Sequence, residues 1–376
     1  MPMTLSHLRR YAIARSLFKP TTLRRAIEKL GFVQADPIRA PACAQDLTLR
    51  HRVKGYEAGD LERRYPKLAL EEDFFVNHGF LPRAHHALMH PRHVRGLSPW
   101  DSIRSNTKRA RQEAAVLAFV RERGIAHPRE VDENFAHGSV TNWFGGSSNI
   151  STQMLNTLHY RGLLRVARRS GGIRLYAARE QASFAPEAVA APEITPASKM
   201  DALIDVIVRK YAPLAAPSLG FLVNRLQYGV PQWAKERPAA LARAKQRLGH
   251  ARVEGIDWYF PREEKPQSRR WRLDEKVRLL TPFDPVAWDR RRFLLFWGWA
   301  YRFEAYTPAP KRKMGYYALP LLWQEQMIGW GNVAVVAGKM TAAFGYVSGR
   351  APRELEFREG LDAELERLRA FLKTSR

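Results

Sequence analysis

The period of the apolar residues changes part-way along this 376-residue chain, and that change restricts the fold more than any single motif. Up to about residue 265 the apolar side chains recur at helical spacing, broken by short strand-like pairs. Leu5, Leu8, Ala12, Ile13 and Leu17 mark a first helix, with Ser6, Arg9 and Arg10 off that face. Pro20 breaks it, Thr22 is placed to cap a second helix carrying Leu23, Ile27 and Leu30, and Gly31 ends that one. Beyond Lys276 the period shifts towards two. Strands are expected at 276–280, 293–297, 301–307, 315–322, 326–330, 332–336 and 341–347, followed by a charged amphipathic helix from Leu355 to Leu372. The expected class is α+β: tandem winged-helix motifs followed by a small antiparallel C-terminal β barrel.

The middle of the chain carries the winged-helix expectation. A helix is expected over 107–123 and a second from His127-Pro128, proline suiting a first-turn position. A third, over 149–160, has Ile150, Met154, Leu155 and Leu158 on one face. Two strands then flank Ser170-Gly171-Gly172, a Gly-Gly hairpin turn. Helix, helix, helix and hairpin is the order in which a third helix enters the major groove. The order repeats in the helix of Met200, Leu203, Ile204, Ile207, Val208 and Tyr211, helices near 218–226 and 238–248, and strand-like 251–260. The expected divisions are an N-terminal helical or winged-helix unit (1–105), a winged helix with a basic wing (106–180), an Ala/Pro-rich linker (181–199), a winged helix (200–265), and the barrel with its closing helix (266–376).

Charge indicates the partner. The chain has 62 Lys and Arg against 37 Asp and Glu, a net charge of +25, which favours a polyanion, nucleic acid before membrane. Residues 134 to 179 contain no acid, while Arg161, Arg165, Arg168, Arg169, Arg174 and Arg179 cluster there. The expected DNA contacts are Arg165, Arg168, Arg169 and Arg174 on the wing, and Asn149 and Gln153 on the third helix, with Ser151, Thr152, Asn156 and His159 beside them. Arg39, Arg50 and Arg52, nearer the N-terminus, complete the set. Such contacts position a protein on phosphates and carry little sequence information. One cysteine, Cys43, excludes an internal disulfide and a Cys-x-x-Cys zinc site. No phosphate loop or dinucleotide fingerprint is present. His85, His86, His90 and His93 invite a metal, but their sequence surroundings lack the carboxylates of a metal site, so neither metal nor cofactor is expected.

Chemistry is expected at Gln34-Ala35-Asp36, which follows the second helix and is pinned by Pro37 and Pro41. Proline keeps Asp36 out of the α region, and an extended backbone would project Gln34 and Asp36 from the same side. A carboxylate and an amide so placed, next to Arg39, can hold and activate a water. The simpler reading is a turn, with Gln34 bonded to backbone.

Gln34-Ala35-Asp36 resembles the Gln-x-Asp signature of the YcaQ-type, AlkZ-like winged-helix DNA glycosylases. The resemblance continues through residues 74–82, Trp143-Phe144-Gly145-Gly146, Thr281-Pro282-Phe283-Asp284, Trp288-Asp289-Arg290 and Lys311-Arg312-Lys313-Met314-Gly315-Tyr316-Tyr317. It implies three winged helices and a barrel around a DNA channel. It also implies a monofunctional hydrolase that excises N7-alkylated purines in base excision repair, with Gln34 and Asp36 as the catalytic pair. Asp at the second position resembles the branch that unhooks interstrand crosslinks. The implied partner is alkylated double-stranded DNA, bound by a monomer in a bacterial cytoplasm and not at a membrane. Gly329-Trp330-Gly331-Asn332 departs from the Gly-Arg-x-Asp expected there. The competing reading is a non-catalytic winged-helix DNA-binding or regulatory protein.

Overall fold

The computed structural model describes residues 2–92, 107–135, 138–141, 147–179 and 195–373; the Trp143–Gly146 motif, His93 and most of the expected linker lie outside them. In chain order come α1 (Leu5–Ser16), α2 (Leu23–Leu30), β1 (Val33–Gln34), α3 (Ala44–Leu49) and α4 (Asp60–Arg64). A hairpin follows, β2 (Leu70–Phe74) and β3 (His78–Pro82), then α5 (Arg83–Met89), α6 (Thr107–Arg123) and α7 (Pro128–Phe135). Next are β4 (Ser139–Thr141), β5 (Ser147–Asn149), α8 (Ile150–Tyr160), β6 (Leu164–Ser170) and β7 (Ile173–Ala178). Then come α9 (Pro196–Tyr211), β8 (Leu214–Ala215), α10 (Ala216–Arg225), α11 (Arg237–Arg247), β9 (Gly249–Val253) and β10 (Ile256–Phe260). The chain closes with β11 (Arg278–Leu279), α12 (Arg290–Trp297), β12 (Leu319–Trp323), β13 (Gln326–Val336), β14 (Lys339–Tyr346) and α13 (Leu355–Leu372). Two compact units result, each assembled from separate segments: Met1–Leu61, Ile204–Val223 and Leu241–Arg376 form the first, Glu62–Leu203 and Asn224–Ala240 the second.

In the first unit α1 starts at a capping box, in which Thr4 accepts from the His7 amide and His7 Nδ1 accepts from the Thr4 amide. Its Leu8 and Ala12 pack on Trp258 and Phe296, whose rings stack at 5.2 Å. Ile13 enters a second cluster with Phe293, Tyr301 and Met327. Strands β8, β10 and β9 form an antiparallel sheet in that order.

The C-terminal strands form an open four-stranded meander, β11-β12-β13-β14, and not the expected barrel; β11 and β14 end the sheet and do not pair. Two expected strands are absent. Residues 293–297 belong to α12, because Asp289 caps that helix through the amides of Arg291 and Arg292 and Gly298 ends it. Residues 301–307 form no strand, and 326–330 and 332–336 are one continuous strand, β13. The Trp330 ring lies where a side chain on Gly345 would stand, 2.3 Å from the position of its Cβ, so β14 needs glycine there.

In the second unit α6, α7, α8 and the β6–β7 hairpin follow the sequence expectation, with Gly171 and Gly172 making the turn at positive φ. Beneath them lie three consecutive acids on β2: Glu71, Glu72 and Asp73, each 1% exposed or less. Alternate strand residues face opposite ways, so the three need partners on both faces. Arg83, Arg165 and Arg179 pair with Glu71; His78, Arg169 and Arg174 with Glu72; His86, His90 and Arg92 with Asp73. Burial alone would raise the Glu72 carboxyl, but Arg174, His78 and Arg169 outweigh it and hold it well below the ordinary range.

Glu72→Gln leaves Arg169 and Arg174 facing a neutral partner and is expected to lower stability by about 3–5 kcal/mol at neutral pH. Because the folded pKa is depressed, the stabilisation is present above the unfolded carboxylate value and is lost as pH falls through the folded one. Denaturant midpoints of wild type and variant should therefore converge in acid.

Candidate active site

The Gln34 to Asp36 stretch lies in the first unit, and its shape is set locally on both sides. Gly31 ends α2 at φ 68° and turns the chain through buried Phe32 into β1, whose Val33 is buried too. The buried Lys210 ammonium donates to the Phe32 carbonyl; burial, with Arg52 next, pushes its pKa well down. Gln34 is 8% exposed, and its Oε1 accepts from Trp288 Nε1 at 2.8 Å, which fixes the amide's orientation. Asp36 is half-buried. Its amide donates to Gln45 Oε1 at 3.3 Å, and its Oδ1 accepts from the Ile38 amide at 2.9 Å. Among the described residues nothing donates to Oδ2. Burial raises the Asp36 carboxyl above the usual aspartate value, and the Ile38 N–H offsets this only in part. The turn expected at Asp36-Pro37 forms through the Ile38 amide, but the partner found for Gln34 is the Trp288 side chain and not the expected backbone.

Trp288 is delivered by the loop after β11. Asp284, fully buried, accepts from the Val286 amide and takes both terminal nitrogens of Arg52, at 2.8 and 3.0 Å. Arg52 also donates to the carbonyls of Ser16 and Thr48, so one guanidinium joins the end of α1, α3 and this loop. The Trp288 ring lies 5.1 Å from Tyr211 and 6.2 Å from Phe221. A second aromatic group is Phe283, Phe303, Tyr306 and Tyr317, with Phe303 within 6.0 Å of the other three rings. Asp36 raises the phenol pKa of both Tyr306 and Tyr317, after burial.

The Gly329–Asn332 departure has a structural role in the same unit. Asn332 Nδ2 donates to the Met314 carbonyl at 2.7 Å, and a Cβ on Gly315 (φ 107°) would strike the Asn332 side chain. Asn332 thus anchors the 311–317 loop, whose Lys313 and Met314 amides are held by buried Glu304.

The expected DNA contacts separate into two sets. Arg52 and Arg50 are corrected to structural cations: Arg52 is fully buried, and Arg50 is held by Glu364 and the Leu279 carbonyl. Gln153 is corrected likewise, being 7% exposed and 3.5 Å from Arg109. Ser151 and His159 are buried too; burial lowers the His159 imidazole to about 4. Arg165, Arg169 and Arg174 stand on the wing, but Glu71 and Glu72 already neutralise them. Asn149 is exposed at the start of α8 and donates to Asp132. Arg39 and Arg168 are exposed.

The carboxylate missing around the histidines comes from Asp73, which brings His86 and His90 within 4.8 Å as a possible ligand set. Asp73 Oδ2 is 2.6 and 3.2 Å from the two Nε2 atoms, which are hydrogen-bond distances. Arg92 sits 2.9 Å from Oδ1, supplying the positive charge a cation would bring. The cluster reads as a hydrogen-bonded brace. A cavity of about 820 Å³ in the first unit is lined by Leu17, Arg50, His51, Leu273, Arg278 and Phe371, among others, and by neither Gln34 nor Asp36.

Compared with known proteins, residues 27–371 match the family model described as DNA glycosylase AlkZ-like. The chain belongs to the AlkZ-like DNA glycosylases. The solved structure of Streptomyces sahachiroi DNA glycosylase AlkZ has the same fold, at a TM-score of 0.62 and 14% identity, covering 100% of this chain and 98% of that one. Among the described residues no helix is long and apolar enough to cross a membrane. Membership of the AlkZ-like family makes DNA the substrate, and gives the exposed arginines their test. Arg168→Ala is expected to reduce the slope of log affinity against log salt on duplex DNA by about one. Arg52→Met should instead lower folding stability by about 3–5 kcal/mol, read by chemical denaturation.

Proposed function

We propose that this chain hydrolyses the N-glycosidic bond of N7-alkylated purines in duplex DNA, with Asp36 activating the water. The observation that carries this is the half-buried Asp36 carboxylate of raised pKa, one oxygen tied to the Ile38 amide and the other open, two residues after an amide oriented by Trp288.

Alkylation at N7 leaves a positive charge on the purine, so the base departs without being protonated. Water attacks C1′ on the face opposite the base, and the C1′–N9 electron pair goes to the purine, which leaves neutral. The water's proton passes to Asp36, and the sugar becomes a hemiacetal. A carboxylate next to the developing oxocarbenium supplies both the base and the opposing charge. Inverting glycosidases add a partner acid, which a cationic leaving group makes unnecessary. A raised pKa suits a base, because a more basic carboxylate takes the proton more readily. Gln34 orients the water in this scheme.

The monofunctional outcome fits the state of Lys210, which is 3% exposed and bound to the Phe32 carbonyl, so it is not presented as a nucleophile for strand cleavage. Exposed Pro37 and Arg39 on the same loop favour an open approach, which an interstrand crosslink needs because its base stays tied to the other strand. A non-catalytic DNA binder remains the contrasting function, and a carboxylate on the same loop as exposed Arg39 would only weaken one.

Asp36→Asn should reduce release of 7-methylguanine from a duplex by about 100-fold or more while leaving duplex affinity within about threefold. Equal release by both proteins would contradict the assignment. With the carboxylate as the active form, wild-type release should fall as pH drops, at a midpoint above the ordinary aspartate range. Single-turnover rates across pH measure it.

A further inference from the structure

We propose that the exposed ring of Tyr306 is the face on which this site receives its cationic base, stacking on the N7-alkylpurine beside Asp36. The proposal rests on the glycosylase reading above and extends it to how the lesion is recognised.

Tyr306 is 71% exposed, the most of any large hydrophobic side chain among the described residues. A single exposed aromatic on a surface is ordinary. This one is built in. Phe303 meets it edge-on at 6.0 Å, and Phe303 in turn meets Tyr317 at 5.2 Å and Phe283 at 5.2 Å. Phe283 belongs to the loop that brings Trp288 to Gln34, so the aromatic group and Gln34 share one support. The backbone is also held: the Thr307 amide donates to the Glu304 carbonyl, and the Glu304 carboxylate takes the Lys313 and Met314 amides. Asp36 lies within electrostatic range of Tyr306.

The neighbouring Tyr316 differs in one respect. Arg312 already lies over its ring, 5.0 Å from the centroid, whereas among the described residues no cation covers Tyr306. An aromatic face attracts cations, and a purine alkylated at N7 offers both a cation and a flat surface. Such a base, stacked on a π face while Asp36 stands across its sugar, is favoured over the neutral purines around it. Stacking from one side also needs no enclosing pocket.

The test uses the full-length protein and duplexes carrying 7-methylguanine, comparing wild type with Tyr306→Leu, Tyr306→Phe and Asp36→Asn. Tyr306→Leu should raise KM about tenfold, or ~1.4 kcal/mol, with kcat within about twofold, an unchanged melting temperature and unchanged affinity for unmodified duplex. Tyr306→Phe, which keeps the face, should stay near wild type. A Tyr306→Leu KM equal to that of wild type overturns the proposal. An equal loss of affinity for unmodified duplex also overturns it, by making Tyr306 a general DNA contact. Absence of base release by wild type instead removes the N7-alkylpurine reading beneath it, a result distinct from active wild type with a KM that Tyr306→Leu leaves unchanged.

Discussion

The ion pair between Arg52 and Asp284 is the contact on which the geometry around Gln34 depends. Both side chains are fully buried, a placement that ordinarily costs more in lost hydration than it returns in attraction. Here the pairing is two-pronged, and the remaining guanidinium capacity goes to the carbonyls of Ser16 and Thr48. Asp284 then shapes its own loop through the Val286 amide, and that loop presents Trp288 to Gln34. A hydrogen bond to a glutamine amide has little authority if its donor is mobile. The indole orients Gln34 because a buried ion pair, four residues earlier, orients the loop that carries it.

Positive charge in this chain has two separate uses. A net charge of +25 suggests a DNA-binding surface, yet much of the arginine in the second unit answers the buried acids of β2. Those pairs tie the β6–β7 hairpin to the β2–β3 hairpin within that unit, so removing an arginine there changes folding as well as charge. Arg168 differs because it points to solvent between paired neighbours.

The helices and the Gly-Gly hairpin were legible from local signals: α6, α7 and α8 lie where periodicity, a first-turn proline and a stopping glycine place them. The backbone of the Gln34 to Asp36 stretch was legible as well, because Gly31 and Pro37 fix it within a few residues. Failures came where the deciding contact lies outside the segment itself. Phe293 to Trp297 is an apolar run that fits strand or helix equally, and its helical form depends on the Asp289 cap and the core around Phe293. Arg50 and Arg52 look like free cations in the sequence, since their partners stand at Glu364 and Asp284. The missing wing acids were likewise present, but about a hundred residues upstream. Trp288 was visible as a motif without a role, and only its 2.8 Å bond to Gln34 supplies one.

The central claim is that Asp36 stabilises a sugar that becomes positive as its base departs. Binding of a duplex containing a cationic azasugar, which mimics that sugar, tests the claim without requiring turnover. Wild type is predicted to bind it at least about 100-fold more tightly than a duplex with a neutral abasic analogue, and Asp36→Asn to lose most of that preference. Equal preference in the two proteins would contradict the account.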